Sequence, residues 1–495
     1  MAPQTVECKV DLARTASPFT HYQEVCVGSG HAALALRADW QAQLWKCHEE
    51  LGFRYVRFHG LSSDDMSVVL GRPERPQYHF RNVDLVFDFL QGIGMRPFVE
   101  LSFMPTLLAS GSQTAFHYKA NVTPPLYFAQ WEDLIRSLVQ HLADRYGREE
   151  VAQWFFEVWN EPNLPFCWAG TQEQYFELYR RTAAAVKSVD AAFRVGGPAS
   201  ARDGWVTDLI AFCRENDAAL DFISTHHYPT DFEAAPEQAG LNQLEDFLTL
   251  DMEDRMAASP AGILTKWAAE TRSRAAGLPL YYTEWSSSAS CADHYHDEPY
   301  AAAFILKTLA DNDGLVDGYA YRTFSDVSEE AGQRSAPFHG GFGLLTTHGI
   351  PKPAYHAFRF LHELGEVRLP VLGTTENVGA LTVTRGPILH VLFWNCAPPR
   401  SDIPTAEVRL SVSSADGPLT GTIERVDQDH ANPRAAWEQM GSPQYPTADQ
   451  IGQLRRAAAT RAEDLPVRAS DGEQMMRFSL PPWGSARITL SPRST

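Results

Sequence analysis

Between residues 15 and 350, short apolar β-prone runs alternate with longer stretches whose apolar residues recur every three or four positions. The runs at 24–27, 55–59, 96–103, 153–160, 194–198, 222–228, 280–284 and 318–324 predict strands. Segments such as 131–146 and 172–189 predict amphipathic helices, and Pro124-Pro125 and Gly196-Gly197-Pro198 punctuate the pattern as loops. Eight strand-then-helix units predict an α/β fold, a (β/α)8 TIM barrel, whose chemistry gathers where the parallel strands end. A doubly wound open sheet is the competing arrangement, but no glycine-rich phosphate loop supports it.

The pattern changes in 351–495. Short β-branched runs appear, including Ala380-Leu381-Thr382-Val383-Thr384, Val408-Arg409-Leu410-Ser411-Val412 and Ala486-Arg487-Ile488-Thr489-Leu490. They predict an accessory antiparallel β-sandwich, interrupted by a helical insertion at 447–459 and joined by a strand from 1–14. The absence of a long polar linker between the two regions predicts that the sandwich packs firmly on the barrel.

Charge and cysteine usage narrow the partners. Lys and Arg total 42 against 61 Asp and Glu, a net charge of −19, which repels nucleic acid and anionic membranes but suits a neutral substrate. Seven scattered cysteines show no zinc-site or redox spacing, so they read as reduced, mostly buried thiols. No basic-then-apolar leader opens the sequence and no apolar run reaches the roughly 18 residues of a membrane helix, so the expected location is cytoplasmic.

Two acids end apolar runs among aromatics. Glu161 follows Phe156-Glu157-Val158-Trp159-Asn160, and Glu284 closes Leu280-Tyr281-Tyr282-Thr283. Glycosidic cleavage needs such a pair, one carboxyl protonated for the leaving group and one ionised to attack or to activate water. The plainer alternative is a buried carboxylate in a structural ion pair at each position. Glu157, four residues before Glu161, reads as a barrel-interior partner for an arginine such as Arg57.

These segments resemble glycoside hydrolase family 39, and within it the bacterial β-xylosidases. The resemblance rests on Trp154-Phe155-Phe156-Glu157-Val158-Trp159-Asn160-Glu161-Pro162-Asn163, Arg57-Phe58-His59-Gly60 and Gly94-Met95-Arg96-Pro97-Phe98-Val99-Glu100-Leu101. It extends through Val195-Gly196-Gly197-Pro198 and Pro337-Phe338-His339-Gly340-Gly341-Phe342-Gly343. An Asn-Glu-Pro alone is only moderately specific; all the segments in order are highly specific.

The resemblance implies a retaining mechanism with Glu161 as acid/base and Glu284 as nucleophile. Asn160 would bond the sugar 2-hydroxyl, His59 and His226 other hydroxyls, and Phe116 would form an apolar wall. Tyr228 would orient Glu284, and one of Glu329 and Glu330, with Glu329 preferred, would meet the sugar. The implied partner is a small oligosaccharide, with no cofactor, metal, nucleic acid or membrane.

Two pocket positions depart from the family: Arg322 stands where family xylosidases carry a tryptophan, and Ala289 where an aromatic is common. They leave the reaction type intact but open the sugar preference to an L-arabinoside or a uronic acid whose carboxylate pairs with Arg322. The segment Asp293-His294-Tyr295-His296-Asp297-Glu298 imitates a metal cluster but reads as metal-free, and Asn121-Val122-Thr123 imitates a glycosylation signal.

Overall fold

The eight apolar runs close on themselves. The computed structural model describes residues 3–231, 252–415, 417–470 and 472–493. Its barrel strands are β1 (Cys26–His31), β2 (Tyr55–His59), β3 (Arg96–Leu101), β4 (Phe155–Val158), β5 (Arg194–Ala201), β6 (Phe222–His227), β7 (Leu280–Trp285) and β8 (Gly318–Tyr321). Each pairs in parallel with its sequence neighbour, and β8 returns to β1, so the sheet is a closed barrel and the open-sheet alternative falls away. The helix over Gln172–Val189 starts at a capping box between Thr171 and Gln174, a local signal already present in the sequence.

Side chains alternate along the strands, so the barrel interior is built in layers. The lowest is aromatic: Phe98, Phe155, Phe222 and Tyr281 pack with ring centroids 4.6 to 6.0 Å apart. Gly196 makes room for this plug, since a Cβ there would lie 2.4 Å from the Phe222 carbonyl oxygen. That close approach explains how Gly196-Gly197-Pro198 lies inside β5, as the run 194–198 predicts, although its composition alone reads as a loop. Two residues further along their strands come Glu100 and Glu157, which meet Arg57 of β2, and Thr283, which donates to Glu157, in a polar layer beneath the site.

Two of the four register shifts between barrel strands shape the site. Between β6 and β7, Thr225 pairs with Tyr282 but His226 pairs with Glu284, so Thr283 is the extra residue of a bulge. Consecutive strand residues normally face opposite sides, yet here Thr283 reaches Glu157 and Glu284 reaches Arg57, both inside the barrel. A second shift between Pro198 and Ser200 leaves Ala199 unpaired at φ 52°.

Beyond the barrel lie a five-stranded and a seven-stranded sheet. Gln4–Asp11 joins the smaller one, running parallel to Ala406–Ser413, while the other pairings of the two sheets are antiparallel. Val391 and Phe393 of the strand Ile388–Asn395 face the core between the sheets, and Leu392 and Trp394 face the barrel's helices. Both faces are covered, which is why that strand reads as one apolar run. Strand Leu419–Val426 interleaves Thr, Gly, Glu and Arg, so the pattern passes over it. The helical insertion holds two helices, Pro433–Gln439 and Ala448–Ala457, and packs Leu454 and Trp437 on Phe338 and Ile350 of the barrel.

Candidate active site

Glu161 and Glu284 meet above the polar layer. Strand β4 stops at Val158, and the chain then turns through left-handed backbone at Trp159 (φ 71°) and Glu161 (φ 44°), conformations that cost non-glycine residues energy. The Glu161 N–H donates to the carbonyl of the bulged Ala199 at 2.8 Å, which pins the turn. Carboxylate oxygens of Glu161 and Glu284 and a ring nitrogen of His226 lie within 4.8 Å of one another.

The two carboxyls have opposite surroundings. Glu284 Oε1 accepts from Arg57 Nη1 and Arg322 Nη1, each at 2.8 Å, with His59 Nε2 at 3.3 Å. Its Oε2 accepts only from the Tyr228 hydroxyl, at 2.9 Å, and lies 3.8 Å from His226 Nδ1. An ionised carboxylate oxygen offers about two lone-pair sites. Oε1 is therefore saturated, and Oε2 keeps a free lone pair. Burial works against the Glu284 charge, but Arg322 first, then His226 and His59, hold its carboxyl well below the usual carboxylate range.

Glu161 instead touches a histidine. Its Oε1 lies 3.0 Å from His226 Nδ1, while His226 Nε2 lies 3.1 Å from Thr283 Oγ1. Thr283 gives its single hydroxyl proton to Glu157 Oε1 at 2.8 Å, so it must accept from His226 Nε2–H. His226 Nδ1 is thereby turned toward Glu161 Oε1. Arg57 anchors the chain by donating to Glu157 Oε2 at 2.5 Å, to Glu100 at 2.8 Å and to Asn160 Oδ1 at 3.0 Å.

The pocket is lined by His59, Phe116, Asn160, Tyr228, Arg322 and Phe342, together with Glu161 and Glu284. Phe116 holds its ring nearly parallel to His59, 11° apart, and His59 Nδ1–H donates to Glu100 at 2.7 Å. Glu330, not Glu329, reaches the pocket and pairs with Arg322 Nη2. Glu329 turns away toward Arg37 and His31, at 3.9 and 3.8 Å.

Residues the pattern did not single out complete the wall. Asp231, Ser290, Cys291 and Phe166 line it, and burial followed by the nearby Glu161 charge pushes the Asp231 carboxyl up to about 7. Arg57 was legible only as a partner of Glu157; its contact with Glu284 spans 227 positions of sequence.

The segment after Glu284 is a staple. Asp293 accepts from Ser288 Oγ at 2.6 Å, His296 Nδ1 meets the Gly340 carbonyl at 3.0 Å, and Asp297 accepts from Gly340 N–H at 2.7 Å. Lys352 Nζ sits 2.6 Å from both Asp297 and Asp326, tying the loops after β7 and β8 together. Asn121 of the glycosylation-like triplet is buried, and its amide donates to the Gly111 carbonyl at 2.9 Å.

A parallel barrel that sets two facing glutamates at its strand ends, one charged by arginines and one beside a histidine, defines a glycoside hydrolase. Comparison with known proteins narrows the class. The model of glycosyl hydrolases family 39 matches residues 6–474. A β-xylosidase of Caldicellulosiruptor saccharolyticus is 46% identical, covering 89% of this chain and 89% of its own. A β-xylosidase of Geobacillus stearothermophilus is 39% identical, covering 92% of this chain and 89% of its own. Among solved structures, a monomeric β-xylosidase from Caulobacter crescentus CB15 superposes with a TM-score of 0.86 at 32% identity, covering 99% of this chain and all of that one. The chain belongs to glycosyl hydrolase family 39.

Proposed function

We propose that the chain is a retaining exo-β-xylosidase, releasing xylose from the non-reducing ends of xylo-oligosaccharides by double displacement. One observation supports the mechanism above the others: carboxylate oxygens of Glu161 and Glu284 approach within 4.8 Å, the close pairing of retaining enzymes, which leaves no room for both the sugar and an attacking water between them. The two β-xylosidases at 46% and 39% identity support xylose as the sugar.

Glu284 Oε2 attacks the anomeric carbon while Glu161 gives its proton to the departing oxygen. The glycosyl ester on Glu284 removes one negative charge, and Glu161, now ionised, takes a proton from water as that water displaces the ester. Asn160 has its amide oxygen engaged by Arg57, so its N–H2 is the end available for a sugar hydroxyl. Arg322 has Nη1 on Glu284 and Nη2 on Glu330, which counts against a uronic acid as its partner. A reducing, cytoplasmic setting is supported by seven unpaired thiols, six of them buried.

Nitrophenyl β-xyloside, arabinoside, galactoside and uronide substrates test the sugar, with the xyloside expected to turn over fastest. Nuclear magnetic resonance should find β-xylose as the first product; α-xylose would make the enzyme inverting. Glu284→Ala should be silent, and Glu161→Ala should slow substrates with poor leaving groups far more than activated aryl xylosides. Equal slowing of both would remove Glu161 from the acid/base role.

A further inference from the structure

We propose that Arg322 is a positioning residue that sets the balance between the two chemical steps, holding Glu284 Oε1 so that breakdown of the glycosyl–enzyme is accelerated. The inference rests on Glu284 being the nucleophile. The geometry is a bridge: Arg322 Nη1 lies 2.8 Å from Glu284 Oε1, Nη2 pairs with Glu330, and the guanidinium sits 5.4 Å from the centre of the Phe342 ring. The side chain is 5% exposed, so its charge acts in a poorly hydrated setting.

Arg57 touches the same oxygen but divides its charge among Glu100, Glu157 and Glu284. Arg322 faces Glu284 and Glu330. It is the less compensated of the two cations on Oε1, and it follows the end of β8, separated from the β2 arginine by β1 alone.

The consequence for rate has opposite signs in the two steps. In glycosylation, an electron pair of Oε2 forms a bond to the anomeric carbon, the glycosidic C–O bond breaks, and the leaving oxygen takes the Glu161 proton. Glu284 loses its charge along that path, so Arg322 stabilises the starting carboxylate more than the transition state. In deglycosylation, a water oxygen bonds to the anomeric carbon, Glu161 takes the water proton, and the C–Oε2 pair returns to Glu284. Charge now grows on the carboxylate, and a cation waiting at Oε1 stabilises the transition state more than the ester. A hydrogen bond to a charged group corresponds to roughly a tenfold to hundredfold effect.

Dinitrophenyl β-xyloside separates the steps, because its activated leaving group makes kcat report deglycosylation and kcat/KM report glycosylation. Arg322→Met should lower kcat about tenfold or more and lower KM by a similar factor, with a burst of about one equivalent of dinitrophenolate per active site. If kcat falls while KM stays level or rises and no burst appears, the proposal is overturned, since a purely structural defect would act that way. Arg322→Lys keeps the charge but cannot span both carboxylates, and it should shift KM downward by a smaller factor. It decides the matter by the same criterion should the methionine variant fail to fold. Glu284→Ala is run alongside: inactivity restored by azide with formation of a xylosyl azide supports the nucleophile, and failure there would sink the underlying reading and not the role of Arg322 alone.

Discussion

Glu284 and Asp231 are both buried carboxyls, yet their neighbours push them in opposite directions. Arg322, followed by His226 and His59, holds Glu284 ionised against its burial, so the acid limb of kcat/KM should lie well below pH 4.5, activity being lost only as pH falls through that lowered value. A limb above pH 5 in a steady-state profile would contradict the geometry. Asp231 holds its proton up to about pH 7 against a usual value of 3.8. The folded chain binds that proton more tightly than the unfolded one, so stability is lost as pH climbs from about 4 to about 7. Asp231→Asn should therefore unfold at higher denaturant than the parent at pH 8, by on the order of a few kcal/mol, with the advantage vanishing near pH 4. Glu329 and Glu330 carry the residue-scale lesson. They are chemically identical neighbours, and only the turn after β8 decides that Glu330 faces the sugar pocket.

At the scale of elements, the site is assembled by departures from regular strands. The Thr283 bulge turns two consecutive residues of β7 inward, and the Ala199 bulge supplies the carbonyl that pins the Glu161 turn. Neither shift has a signature in the apolar pattern, which counts periods but not register. The loops that follow are tied by Lys352, where burial opposes the charge but Asp297 and Asp326 hold the ammonium up at about 12. Lys352→Met leaves two buried carboxylates facing each other without their cation, and should destabilise the fold by about 3–5 kcal/mol in chemical denaturation. Retention of parental stability would show that the loops hold without this triad.

For the whole molecule, one face of the sandwich joins the barrel's apolar core, while a second core lies between its sheets. Leu381, Val383, Leu392 and Trp394 of the larger sheet pack in the same cluster as Ala303, Leu306 and Leu361 of the barrel's helices. Calorimetry should accordingly record one cooperative unfolding transition; two separated transitions would mean the sheets and barrel are energetically independent. No helix among the described residues is long and apolar enough to cross a membrane.

Local pattern alone determined eight strands, their helices, the change to a sheet-rich C-terminal region and the two glutamates at strand ends. These depend on periodicity and on residues a few positions apart, where the chain's own geometry dictates which side chains share a face. Tertiary structure alone decided that Arg57 and Arg322, separated by 265 positions from one another by numbering (322 − 57), converge on one oxygen of Glu284. It also decided that His226, held at Nε2 by Thr283, meets Glu161 at 3.0 Å. Barrel closure and strand register bring these groups together, and both are set by packing of the whole interior, a quantity no stretch of the chain contains by itself.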